Sequence, residues 1–150
     1  MHKQNKQAFR VSLTELHSLC EANYVRIMRL FPDYEGCNTR ELIVGSARVR
    51  IEVLERARYT TIFQLDQWHA GSQWLGRLRV ELRAYHDARM VEVGMFQSHR
   101  RIEARYDYPN TRMHQQDEKL QQNSFLADWL DHCLANGRLG VDITAPLTDA

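Results

Sequence analysis

The chain has 150 residues, 43% of them hydrophobic and 26% charged, with a formal net charge of +1. That is one domain's length, enough to bury a core without metals or disulfides, and the composition excludes a disordered chain. A charge so near neutral argues against a surface built throughout for nucleic acid, and no run approaches the roughly 20 apolar residues of a membrane helix.

Residues 1–11 are polar and basic, with no apolar segment behind them, so they read as a flexible arm rather than a secretory signal. A helix is expected from Ser12, where Ser12 and Glu15 form an S-x-x-E capping box. Leu13, Leu16, Leu19, Cys20, Tyr24, Ile27, Leu30 and Phe31 recur on one helical face, and Pro32 stops the helix. From about residue 41 to 105 the period becomes two. Val49, Ile51 and Val53 alternate with charged residues, as do Leu78, Val80 and Leu82, followed by Val91, Val93 and Met95. Such alternation marks strands with one wet and one buried face. "YTTIFQLDQW" is more continuously apolar and is expected near the sheet centre, with "ERAR" and "HDAR" as hairpin connections. Leu126, Trp129, Leu130, Cys133 and Leu134 form the stripe of a second helix, and Gly137 ends it. Residues 141–150 form a tail. The expectation is one α+β domain over 12–140: an antiparallel meander of about five or six strands, with an N-terminal and a C-terminal helix packed on one face.

Chemistry-bearing motifs are sparse. There is no P-loop, GxGxxG, GxSxG, HExxH or EF-hand loop. Cys20, Cys37 and Cys133 form no CxxC pair and read as free thiols in a reducing cytoplasm. The basic residues are 17 Arg and 3 Lys. Arginine suits bidentate binding of phosphate or carboxylate, although the codon usage of a GC-rich genome gives the same bias.

Three polar clusters stand out. "YHDARM" holds Tyr85, His86, Asp87 and Arg89 at a hairpin, where turn chemistry accounts for them. "ARYDYPN" holds Arg105, Tyr106, Asp107, Tyr108 and Asn110. It reads either as an anion site with tyrosines to stack, or as an Arg–Asp pair locking a strand to the next helix. "MHQQDEK" places His114 and Asp117 on one helical face, and with His86 and Asp87 they are the weak candidates for a metal site. Trp68, His69 and Trp74 flank a loop and either cover the core edge or mark a binding surface.

"RYTT" (58–61), "YHDA" (85–88), "ARYDYPN" (104–110), "HQQDEK" (114–119) and "FLADWLDHCLANG" (125–137) resemble the YqiB-like family of small proteobacterial proteins, a domain of unknown function. The resemblance implies a single-domain cytoplasmic bacterial protein and transfers no catalytic residues. The functional expectation is a non-catalytic binding or regulatory module for a small anionic ligand, such as a nucleotide, without a cofactor. Arg105 would anchor the anion and Arg58 would assist. Tyr106, Asp107, Tyr108, Asn110, His114 and Lys119 would complete the site. The alternatives are a protein–protein or homodimeric adaptor and, third, a hydrolase using His86 or His114 with an aspartate.

Overall fold

The computed structural model describes residues 2–69, 77–98 and 111–140, with side chains described over 13–69, 77–96 and 118–140. The order of elements is α1 (His2–Leu30), β1 (Thr39–Val44), β2 (Ala47–Arg56), β3 (Thr60–His69), β4 (Leu78–Tyr85), β5 (Met90–Ser98), α2 (Thr111–Asn136) and β6 (Gly137–Leu139). The strands form one open antiparallel sheet in the order β5-β4-β3-β2-β1-β6. Five strands are the expected meander, with β3 inside it. The sixth, β6, follows α2 and pairs with β1.

Strand alternation fixes the two faces. Val49 and Ile51 of β2, Phe63 and Leu65 of β3, Val80 and Leu82 of β4, and Val91 and Val93 of β5 point to one side, and all are buried. The helices supply Ile27, Leu30, Leu126, Trp129, Leu130 and Cys133 to the same core, and Phe31, just past α1, joins them. At about 25 cal/mol per Å² of apolar surface, each fully buried side chain of this kind contributes about 1.5–3 kcal/mol. The helices advance together, since Asn23 meets Asn123 and Arg26 meets Asp131. Both therefore cross the sheet in the same sense.

Three local features correct or extend the expectation for clear reasons. First, α1 begins at His2 rather than at Ser12. Residues 2–11 contain neither glycine nor proline, so nothing stops helix propagation, and Ser12 lies inside the helix instead of capping it. The 29-residue helix is about 43 Å long at 1.5 Å per residue. Leu13, expected in the stripe, is exposed. Second, β1 and β2 are joined by Gly45-Ser46, with Gly45 at φ +63°. Glycine at the first of two turn residues suits a tight hairpin whose twist matches its strands. Third, Gly137 ends α2 as expected, but through close approach: a Cβ there would stand 2.5 Å from the Cys133 carbonyl oxygen.

The second helix also seals an edge of the sheet. Asn123 is fully buried; its side-chain oxygen accepts the Val93 amide at 3.1 Å, and its side-chain nitrogen donates to the Lys119 carbonyl at 2.8 Å. Its carbonyl accepts from the buried Asn23 side chain at 3.1 Å, and Arg26 donates to Asn23 in turn. A buried amide with every group matched locks the register of two helices and an edge strand.

Candidate functional site

The densest polar constellation is at the end of the sheet where the β2–β3 and β4–β5 turns meet. The two turns are joined by a hydrogen bond from the His86 amide to the Tyr59 carbonyl, 2.9 Å. "RYTT" and "YHDA" are therefore neighbours. Along β4, Leu78, Val80, Leu82 and Ala84 are buried beneath the helices. His86 continues that parity and turns inward. It stacks against Tyr34, with ring centroids 5.4 Å apart, and meets Tyr24 edge-on. Nδ1 lies 2.9 Å from the Tyr24 hydroxyl, and Nε2 lies 2.7 Å from Thr61 Oγ1.

Both ring nitrogens are thus engaged by hydroxyls. A neutral imidazole offers one N–H and one lone pair, and a hydroxyl serves either role. Burial pushes the His86 pKa below its ordinary value, while Glu35 and Asp87 oppose that shift. Burial thus favours the neutral ring. Among the described residues no carboxylate hydrogen-bonds to it, and its two partners are hydroxyls. Nor is His86 mere exposed turn chemistry, because it clamps α1, β3 and the segment after α1.

Arg56 braces the same corner. Its guanidinium donates to the Tyr34 carbonyl at 2.7 and 3.2 Å and to the Cys37 carbonyl at 2.7 Å. Asp33 accepts from Arg40 at 2.5 Å and from the Cys37 thiol at 3.4 Å. Asp33 and partial burial raise the Cys37 pKa, while burial pushes Cys20 and Cys133 up to about 11. All three cysteines are free.

The expected site residues separate. Arg58 lies on the β2–β3 turn, exposed, its guanidinium 5.4 Å from the ring of Tyr59. Lys119 is at the β5 edge, 3.3 Å from Glu92, whose other oxygen accepts from the Tyr85 hydroxyl at 3.0 Å. Arg105, Tyr106, Asp107, Tyr108, Asn110 and Trp74 lie outside the described residues. His114 and Asp117 fall within α2, their side chains outside the description. Among the described residues, no three His, Cys, Asp or Glu side chains gather as a metal site. Asp87 accepts from the Ala88 amide and caps its own turn.

The uncovered face of the sheet is a charge ladder. Glu41 pairs with Arg50, and Asp66 with Arg79 and Arg77. Trp68 lies there under Arg50, so it belongs to the wet face rather than to the core edge. A shallow cavity of about 170 Å³ between Gln64, Arg79, Glu81 and Met95 is open to solvent.

Comparison with known proteins agrees with this architecture in extent. Residues 26–139 match the family described as "Protein of unknown function (DUF1249)". The chain belongs to that family. It is also similar to the "Uncharacterized protein YqiB" of Escherichia coli strain K12, with 40% identity over 131 residues, 86% of this chain and 93% of that protein. The proteins of that name from Escherichia coli O157:H7 and O6:H1 give the same figures. No solved structure matches. The family match starts within α1 and ends at Leu139, so it takes in the whole sheet and the His86 corner apart from Tyr24. Among the described residues, no helix is long and apolar enough to cross a membrane.

Sequence reasoning passed over the roles of His86, Tyr24, Tyr34 and Thr61. The signal was present: His86 shares the parity of Leu82 and Ala84, and Thr61 that of Phe63 and Leu65. A polar residue continuing a buried face needs a partner.

Proposed function

We propose that the chain is a non-catalytic, cytoplasmic binding or regulatory module for a small anionic ligand, held at the end of the sheet beside the His86 corner. The observation that carries this reading is the state of Arg58. Arg26, Arg40, Arg50, Arg77 and Arg79 each face a carboxylate. Arg58 has none within ion-pair distance among the described residues and rests on an aromatic ring. It stands on a turn tied to a rigid corner, and a positioned, unpaired guanidinium is suited to carboxylate or phosphate. His86 supports binding over catalysis, since its two nitrogens are occupied and its hydroxyl partner Thr61 is only 2% exposed.

Native mass spectrometry of the purified protein, followed by titration with an anion panel, tests the proposal. A substoichiometric adduct of anion mass, or binding tighter than about 1 mM that Arg58→Ala weakens, is expected. A clean apo mass with no binding from the panel contradicts it. A defined dimer in that spectrum, with no adduct, favours the homodimeric adaptor instead.

A further inference from the structure

We infer that Arg89 completes this site, and that Arg58 and Arg89 together form a two-guanidinium clamp for the phosphate group of a small molecule. The inference rests on the proposal that this end of the sheet binds an anion. Arg89 is the last residue of the β4–β5 turn and adopts φ +55°, the only non-glycine residue with positive φ among those described. The left-handed conformation disfavours a Cβ, and glycine or asparagine is its usual occupant. An arginine there accepts backbone strain in exchange for its side chain, and such outliers cluster at ligand-binding positions.

Arg89 is exposed, and like Arg58 it has no carboxylate within ion-pair distance among the described residues. The two turns are bonded through His86 and Tyr59. Thr60 pairs with Tyr85, and Tyr85 with Met90, so the ends of β3 and β5 are two strand spacings apart, about 10 Å, and because Ala57 bonds Thr60 across the first turn, Arg58 stands on its β2 side, up to one spacing further from Arg89. Two extended arginine side chains bridge such a gap with one tetrahedral anion between them. A phosphate offers oxygens to both forks, whereas a monocarboxylate is satisfied by one, so the pair favours phosphate.

Calorimetric titration of wild type, Arg89→Gly and Arg89→Gln with inorganic phosphate, phenyl phosphate and acetate tests the clamp, with melting temperatures measured in parallel. Wild type is expected to bind both phosphates and to prefer them to acetate. Arg89→Gly should weaken phosphate binding about tenfold or more, by loss of a charge-assisted pair, while melting no lower than wild type because the strain is relieved. Arg89→Gln keeps a Cβ and the strain but not the charge, and should lose the same affinity. Phosphate binding by wild type that both variants retain overturns the clamp and leaves the anion site standing. Binding of no anion by wild type overturns both. Capture of the chain by phosphatidylglycerol vesicles without binding of free phosphate overturns the small-molecule assignment.

Discussion

Tyr24 of α1 and His86 at the end of β4 share a 2.9 Å hydrogen bond across 62 residues of sequence, and the same imidazole reaches Thr61 on its other side. One side chain thereby fastens the first helix to the end of a five-stranded meander. His86→Leu leaves the buried Thr61 hydroxyl without its partner and should cost about 2 kcal/mol. Thr61→Val should cost a comparable amount. The double variant should cost less than the sum, because the second change removes a group already orphaned. Urea titrations of the three variants check this, and strict additivity would contradict it.

The same ring predicts a pH dependence. Burial holds the folded pKa below the ordinary 6.5, so the unfolded chain takes up its proton first as pH falls. The contribution of this ring is complete above about pH 6.5 and is lost as pH falls toward the folded value. Wild type should therefore lose more stability between pH 7 and pH 5 than His86→Gln does. Melting curves across that range compare them directly, and parallel profiles would show that burial of this ring imposes no proton penalty.

Much of the fold was legible because periodicity reports burial. The α2 stripe of Leu126, Trp129, Leu130 and Cys133 is buried as read, and the alternation in β2 and β4 assigns the faces correctly, whereas in β5 it holds for Val91 and Val93 and fails at Met95, which is exposed because the register shift opposite Glu81 and Leu82 turns Phe96 to the buried side instead. The α1 start was misplaced because a capping signature is only a local preference, overridden where the preceding residues are good helix formers. The Asn23–Asn123 network was not legible, since its partners are 100 residues apart and no local pattern distinguishes a buried asparagine from an exposed one. The His86 clamp is legible only where the strand parity is continued past Tyr85, since a turn-forming His-Asp pair has a sufficient local explanation.

Asn123 offers a sharp stability test. Its side chain satisfies the Val93 amide of an edge strand from inside the core. Asn123→Leu removes that acceptor and should destabilise by about 3 kcal/mol, with faster hydrogen exchange at Val93. Exchange at Val93 unchanged in the variant would contradict the role assigned to this side chain.

The cysteines should differ in their response to Asp33. Cys20 and Cys133 are held near 11 by burial and should resist alkylation at pH 8. Cys37 is more accessible, but the Asp33 carboxylate disfavours its thiolate. Asp33→Asn should lower that pKa and speed alkylation of Cys37 alone. Mass-resolved iodoacetamide labelling measures it, and an unchanged Cys37 rate would contradict the coupling.

Asp87 lies two residues from Arg89 and is exposed. Its negative charge opposes an anion on the same turn. Asp87→Asn should tighten phosphate binding by about twofold to fivefold at low salt, with the gain shrinking as salt is added. Calorimetry at two ionic strengths reads this out, and weaker binding in the variant would mean that the anion sits elsewhere.

The most direct measurement is a phosphate titration of the ¹⁵N-labelled protein followed by amide chemical shifts. Shifts that saturate and are confined to the turns at residues 57–60 and 86–89 are the predicted result. No saturable shift up to about 10 mM phosphate, or shifts centred on the wet face around Gln64 and Glu81, would contradict the site.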